Sequence, residues 1–367
     1  MRPAVAAFTD TYLPTVNGVT YTIATWREHW EERGGRMDVV FPESEAYTSD
    51  AGEHPVGSIS FPFYEGFRVG TPTVPDAVRD VDVVHAHTPF AVGMGGYRLA
   101  RSEDLPLVAN YHTPTSEYAD YVVPSFGEPL VERVTRRYEK WFLERADLVL
   151  TPSEATRDYL ADDLDVSTPV EAFPNGVDLE RFRPVNPEAF LERHDLIEER
   201  PLVGYTGRHG YEKCLEDLVE AAAGLDATIV LGGDGPARDD LETLAAHLDV
   251  DARFLGFLDR EELPEFYSAL DVFAFPSPVE TEGLVALEAN ACGTPVVGVD
   301  SGALSETIDD GVNGYHYAPG AVDAFRTQIE RALVDEETLA AHCLDRREEI
   351  GVERSVDRLE DVYERLL

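Results

Sequence analysis

Lysine is nearly missing from this chain: of 367 residues two are lysine, Lys140 and Lys213, and the other 28 basic residues are arginine. Against these 30 basic residues stand 71 acidic ones, a formal net charge of −41. With no strongly basic face to grip a phosphate backbone, a nucleic-acid partner is excluded. The acids run through every segment rather than forming a tail, so the whole surface is acidic and needs counter-ions to stay compact. This is the composition expected of a halophilic protein working in molar salt. Cysteine is also scarce. Cys214, Cys292 and Cys343 are scattered without CxxC spacing, which excludes a disulfide framework or thiolate metal site and points to a reducing cytoplasm. Long apolar runs are absent as well. The N-terminal MRPAVAAFTD reads as a buried first strand rather than a signal peptide, and no run approaches bilayer length. The expected location is the cytoplasm, at most against the inner face of the cell membrane.

What is present is a 43% hydrophobic composition over 367 residues, enough for two cores. Short apolar runs alternate with helical-period stretches twice over, predicting a parallel α/β sheet in each half. The first half offers strands at 4–8, 36–41, 82–87, 106–112 and 147–153, with helices such as 20–32 and 128–144. The second restarts at 201–207 and continues with 227–233, 252–257, 271–277, 294–299 and 313–317. The fold class is therefore α/β, two doubly wound Rossmann-like domains facing a central cleft, with the ligand at the C-terminal ends of the strands. The boundaries read as a domain at 1–170, a hinge rich in Pro and Asn-Gly at 171–184, and a second domain at 185–349, with a terminal helix 350–367 packing back on the first.

Within this frame several stretches carry chemistry. In DTYLPTVNGVT (10–20) Gly18 opens a helix and lets backbone approach an anion. GRHGYEK (207–213) holds the matching place in the second domain. Arg208 offers a fork for phosphate oxygens and Lys213 a movable point charge. Cations are disfavoured at a helix N-terminus, so an anion between them is the better account. LGGDGP (231–236) is a fragment of a dinucleotide fingerprint, read as a tight turn that lets backbone near a nucleotide. In FPSPVETEGLVALEANACGTPVV (275–297) Gly283 permits a sharp turn and a helix follows over 284–291. Glu280 falls on the loop and Glu288 on the helix. The pair suits sugar hydroxyls and a ribose diol, with helix N–H groups between for a diphosphate. A glycosidase carboxyl pair is the rival, and Glu282 is an equal choice of loop ligand. His85 and His87 alternate on a strand end without a third metal ligand in sight and read as cleft wall.

Taken together, FTDTYLPTVNGVT, DVVHAHTPF, ANYHT, ADLVLTPS, PNGVDLERFRP, GRHGYEK, GGDGP, FLGFL and the Glu280-x7-Glu288 segment resemble the retaining glycosyltransferases of family 4, which have the GT-B fold. The resemblance covers essentially the whole chain. It implies a metal-independent enzyme with no required cofactor and a nucleotide-diphosphate sugar, UDP- or GDP-linked, as co-substrate. It implies that Arg208 and Lys213 neutralise the leaving diphosphate, and that Gly18 gives its N–H to the distal phosphate. Glu280 would bind the donor sugar and Glu288 the ribose. Backbone at Gly283, Leu284 and Val285 would meet the phosphates, backbone near Leu258 the base, and His112 would lie beside the transferred sugar. Cys214 stands where the family often has asparagine. Acceptor candidates are Tyr118, in YHTPTSEYADYV, and Arg136 and Arg137, in LVERVTRRYEKWFLER. The first stretch resembles members that glycosylate membrane lipids. In the second, Arg133, Arg136, Arg137 and Lys140 recur at helical spacing beside Trp141 and Phe142. That face reads either as a contact with anionic membrane or as a domain helix whose arginines pair with the abundant acids. A soluble or polysaccharide acceptor is the alternative, and an epimerase or oxidoreductase of similar fold lies further off.

Overall fold

Strand β1 (Ala4–Phe8) shows how the first half is built: Val5 and Ala7 enter one apolar layer while Ala6 and Phe8 enter the other. A strand buried on both faces reads as an unbroken apolar run, which is why AVAAF signals a parallel sheet. The computed structural model describes residues 2–60, 68–112, 128–197 and 201–367, with side chains from residue 133 onward in the helix that starts at Glu128. Among them β1 is flanked by β2 (Arg36–Pro42) and β3 (Glu53–Val56) on one side. On the other side follow β6 (Val83–Ala86), β7 (Leu107–Asn110), β8 (Leu148–Thr151) and β9 (Val170–Ala172). The spatial order is β3-β2-β1-β6-β7-β8-β9, and neighbouring strands are parallel. A short antiparallel ladder pairs β4 (Ser58–Ser60) with β5 (Arg68–Gly70).

Helix α1 (Gly18–Glu32) starts where the Asn17 side chain accepts from Thr20 N–H at 2.9 Å and buries Ile23, Trp26 and Trp30, spaced to share one face. Helix α2 (Ala91–Glu103) follows β6. Its N-terminus is closed by the Asp10 carboxylate, which accepts from Val92 N–H at 2.9 Å, Gly93 N–H at 3.3 Å and the Thr88 hydroxyl at 2.7 Å. Helix α3 (Glu128–Leu143) precedes β8.

The second sheet has the order β12 (Ala252–Gly256), β11 (Thr228–Gly232), β10 (Leu202–Thr206), β13 (Val272–Phe275), β14 (Val296–Val299), β15 (Gly314–Tyr317), again parallel. Its helices include α4 (Leu215–Ala222), α5 (Arg238–Leu248), α6 (Leu263–Ala269), α7 (Leu284–Ala291) and α8 (Val322–Asp345). In each sheet the chain runs outward from the first strand, returns to its other side and runs outward again. The order reverses between β1 and β6 in one and between β10 and β13 in the other. Such switch points open a crevice at the C-terminal strand ends.

The chain divides into two units, Met1–Asn175 with Val352–Leu367, and Gly176–Gly351. The segment expected as a hinge is therefore not linker throughout. Val170–Ala172 pairs with β8, and Phe173, Val177 and Phe182 are buried. The boundary between the units falls within 171–184, where the prolines and Asn-Gly mark turns between buried apolar anchors. Residues 350 and 351 stay with the second unit, where Val177 N–H donates to Ile350 O at 2.8 Å. Helix α9 (Val352–Leu366) belongs to the first unit. Val352, Val356, Leu359, Val362 and Tyr363 recur at helical spacing and share a core with Ile23, Trp26 and Trp30.

Candidate active site

The switch point of the second sheet lies between the loops that follow β10 and β13, and both carry sequence-predicted residues. After Thr206 the chain turns through Gly207 to Arg208 and His209, then forms a single 3-10 turn, Tyr211–Lys213, before α4. After Phe275 it runs through 276–283 into α7. Gly283 sits at φ 76°, and a Cβ there would fall 2.8 Å from Leu304 Cδ2. Only glycine fits this entry to the helix. The loop is pinned from behind: Ser301 donates to Pro278 O at 3.0 Å, Ala303 N–H to Glu280 O at 3.1 Å and Thr307 to Glu282 O at 2.9 Å.

Between the loops Lys213 Nζ meets Glu280 Oε1 at 2.7 Å, both side chains largely buried. Beside them Arg208 Nη2 stands 3.5 Å from Glu212 Oε1. The floor is Tyr205, packed in a stacked geometry with Phe273. Burial, then the charges of Glu280 and Glu212, push the Tyr205 hydroxyl well above the usual tyrosine pKa. The charges of Glu280 and Glu212 thus both reach one buried phenol, and each carboxylate stands by a cation. Glu282 is itself buried. Leu284 and Val285 head α7, where their N–H groups have no carbonyl one turn back.

The Arg208 loop is held by the stretch LGGDGP. His209 N–H donates to Asp234 O at 2.8 Å, Ala237 N–H to His209 O at 2.9 Å and Gly207 N–H to Gly232 O at 3.2 Å. A Cβ on Gly233 would lie 1.9 Å from Gly207 O, and one on Gly235 2.5 Å from His209 O. The stretch is the tight turn expected from its sequence, and its glycines let it pack directly on the backbone that carries Arg208.

Glu288 lies on the fifth residue of α7 and is buried. Tyr267 Oη donates to its Oε2 at 2.9 Å, and Arg260 Nη1 stands 3.7 Å from Oε1. Burial pushes the carboxyl up to about 7, against the opposing pull of Arg260 and Tyr267. Sequence reasoning missed Arg260, Tyr267 and Tyr205. Arg260 follows the singled-out Leu258 by two positions, but nothing in the spacing ties it to Glu288. Leu258 is buried, and a Cβ on Gly232 would be 2.7 Å from its Cδ1.

In the first unit Gly18 begins α1, and no atom lies within 4 Å of a Cβ built there. Neither backbone angle nor packing requires the glycine. His112 is buried, its Nε2 3.1 Å from His87 Nδ1 and 3.3 Å from Asn110 Nδ2. His85, expected as cleft wall, is fully buried between Tyr363 and Asn110. It lines no cleft because α9 packs over it. Tyr118 lies outside the described residues. On α3 the expected single basic face divides. Arg136 donates to Asp163 O at 2.8 Å and lies over the Tyr159 ring, and Lys140 pairs with Asp165. Phe142 is in the core. Arg133, Val134 and Arg137 remain exposed and Trp141 is 37% exposed, roughly one helix face.

Two parallel sheets of Rossmann order, the second gathering an arginine, a lysine and a helix N-terminus at its switch point, place the chain among double-Rossmann α/β enzymes. Residues 16–181 match the model of glycosyltransferase family 4, and residues 187–346 that of glycosyl transferases group 1. The chain belongs to glycosyltransferase family 4 and is a glycosyltransferase of GT-B fold. It is 32% identical to a GDP-mannose-dependent alpha-mannosyltransferase of Mycobacterium tuberculosis, over 83% of this chain and 81% of that one. It is 30% identical to the sulfoquinovosyl transferase SQD2 of Arabidopsis thaliana over 88% of this chain, spanning 65% of that protein's length. An alpha-monoglucosyldiacylglycerol synthase of Streptococcus pneumoniae is 28% identical over 98% of this chain and 85% of its own. Among solved structures, Anabaena HepE in complex with UDP-glucose superposes with a TM-score of 0.77 at 18% identity, covering 99% of this chain and 100% of that one.

Proposed function

We propose that the protein moves a sugar from a nucleotide-diphosphate donor, UDP- or GDP-linked, to a hydroxyl of a membrane lipid, with retention at the anomeric carbon. The observation that carries this reading is the Lys213–Glu280 pair beside Arg208 and Glu212 at the β10/β13 switch point. Breaking the sugar–phosphate bond puts negative charge on the phosphate oxygens, and cations already fixed in place stabilise it without reorganisation. When the diphosphate takes Lys213 and Arg208, the carboxylate of Glu280 is released to accept from sugar hydroxyls. The N–H groups of Leu284 and Val285, behind the turn at Gly283, suit the same phosphates. Glu288, with Arg260 beside it, suits the ribose diol, and the backbone at Leu258 the base. In the first unit the open space at Gly18 suits a phosphate oxygen, and His112 the transferred sugar. The acceptor oxygen attacks from the face the diphosphate leaves, and the leaving phosphate oxygen takes its proton. Two side-chain cations do the neutralising that a divalent ion would otherwise do, so the reaction is metal-independent.

The lipid acceptor is supported by the diacylglycerol named for the Streptococcus pneumoniae relative. The membrane contact then falls to Arg133, Arg137, Val134 and Trp141, not to Arg136 and Lys140. Screening shortens the Debye length to about 3 Å in 1 M salt, so the exposed Trp141 and Val134 contribute more to that contact than the arginines. Trp141 is stacked on Tyr138 and lies under Arg145, 3.8 Å from the ring centroid. The acidic excess supports a halophilic setting, and the three scattered cysteines support a reducing cytoplasm, which suits the proposed enzyme at the inner membrane face.

The test is incubation with UDP-, GDP- and ADP-sugars, anionic diacylglycerol-containing vesicles and EDTA in molar salt. The expected outcome is one nucleotide diphosphate released per glycolipid formed, with the protein sedimenting with the vesicles. Transfer only to added oligosaccharides would replace the lipid acceptor by a soluble one. Donor conversion without acceptor product would overturn the transfer reading in favour of an epimerase, and loss of turnover on chelation would overturn metal independence.

A further inference from the structure

Three imidazoles lie in a row inside the first unit. The His85 and His87 rings stack with centroids 4.2 Å apart, and those of His87 and His112 with 5.4 Å. Trp26 covers the first two at 6.0 and 5.9 Å, and all three rings are buried. Buried imidazoles resist a proton. Burial lowers the pKa of His85 to about 4 and of His112 to about 3. Neutral imidazole has one N–H and one acceptor nitrogen, so each ring has a single remaining choice of tautomer.

The hydrogen bonds make that choice. Asn110 turns Oδ1 to His85 Nε2 at 2.7 Å and Nδ2 to His112 Nε2 at 3.3 Å. An amide nitrogen only donates, so His112 Nε2 accepts and its proton must sit on Nδ1. His87 Nδ1, 3.1 Å from the same Nε2, then carries a proton and shares that atom's single lone pair with the amide. At the other end an amide oxygen only accepts, so His85 Nε2 carries the proton and its Nδ1 accepts. The donor it accepts from is the Tyr363 hydroxyl, at 2.7 Å. A fully buried phenol O–H needs an acceptor, and His85 supplies it.

We infer that Tyr363, His85 and Asn110 are positioning residues that lock His112 as an Nδ1–H hydrogen-bond donor rather than a base. Tyr363 lies on the last helix, 251 positions from His112 in sequence, yet within the same unit. A donor N–H is what an electronegative sugar oxygen takes, whereas a base at this position would compete with the leaving phosphate for the acceptor's proton. This consequence for turnover rests on the placement of His112 beside the transferred sugar.

The test uses full-length protein with ¹⁵N-labelled histidine in molar salt, comparing wild type, Tyr363→Phe and Asn110→Asp by ring-nitrogen NMR and by steady-state transfer. In wild type His112 should show the Nδ1–H pattern and His85 the Nε2–H pattern, both neutral at pH 7. Asn110→Asp, nearly isosteric but accepting at both oxygens, should put a proton on His112 Nε2. It should lower kcat by about 10²-fold, the cost of losing one preorganised donor, with the donor KM within about threefold. Tyr363→Phe should shift the His85 Nδ1 resonance and lower kcat in the same sense, with near-UV circular dichroism unchanged. An Nε2–H on His112 in wild type, or no change at His85 in Tyr363→Phe, would overturn the relay. The predicted tautomers with full turnover in Asn110→Asp would overturn its catalytic purpose, while the transferase reading stands or falls separately on nucleotide diphosphate release.

Discussion

Glu288 has two demands on it. Its carboxylate is buried with Tyr267 and Arg260 as partners, and its pKa is raised to about 7. A carboxyl whose folded pKa exceeds its unfolded value binds more protons folded than unfolded. Its stabilising contribution is complete below the ordinary value of 4.5 and is lost as pH rises through about 7. Wild type should therefore lose stability between pH 5 and 8 relative to Glu288→Gln. The melting-temperature difference, measured across that range in one salt concentration, should move in the variant's favour as pH rises. A difference that stays flat would mean that Glu288 is ionised throughout. None of this was legible from spacing. The x7 interval placed Glu288 on the helix after Gly283, but Tyr267, 21 residues away, and Arg260 reach it only through the packing of α6 against α7.

At the level of elements, two glycines at strand-to-helix junctions have opposite reasons for being glycine. Gly233 has φ 106° and Gly207 O where a Cβ would go. Gly18 has ordinary backbone and open space around it. Gly233→Ala must part the two loops that hold Arg208. A non-glycine residue held at such a φ costs of order 1–3 kcal/mol before any clash, so its melting temperature should fall by several degrees and its nucleotide affinity with it. Gly18→Ala should hold or raise the melting temperature, since alanine is the better helix former by up to about 1 kcal/mol, while transfer should slow because a methyl group occupies the space proposed for a phosphate oxygen. Calorimetric scans paired with turnover separate the two, and a slow but stable Gly233→Ala would contradict the account. The strands themselves were legible: every apolar run singled out in the sequence contains a strand, matching at 4–8, running one residue further at 36–42, and elsewhere drawn in by one or two residues at one or both ends. Their order was not. Apolar runs show that strands exist, while adjacency comes from how the crossover helices pack, so the switch points and the knitting of LGGDGP to the Arg208 loop needed coordinates. The basic helix shows the same limit. Spacing gave Arg133, Arg136, Arg137 and Lys140 one face, but Asp163 and Asp165, on a neighbouring segment, claim two of the four.

On the scale of the whole molecule, a chain of net charge −41 repels anions, and its donor substrate is proposed to be a nucleotide-diphosphate sugar. The conflict is resolved locally. Lys213 and Arg208 sit where two loops converge, each held by a carboxylate that an incoming phosphate would displace. In molar salt the distant acids are screened within a few ångströms, whereas partly buried cations keep their effect. Retention of one of only two lysines at this point fits a requirement for a compact, movable charge that arginine's planar fork does not supply. The most direct test is the dissociation constant of UDP and GDP, by titration calorimetry in molar salt, for wild type and Lys213→Ala. Removing one charge-assisted contact should weaken binding about tenfold or more, equivalent to at least about 1.4 kcal/mol, and the free protein should melt lower because Glu280 loses its partner. Equal affinity for both proteins would contradict the account, because the charge at the switch point would then not be what holds the diphosphate.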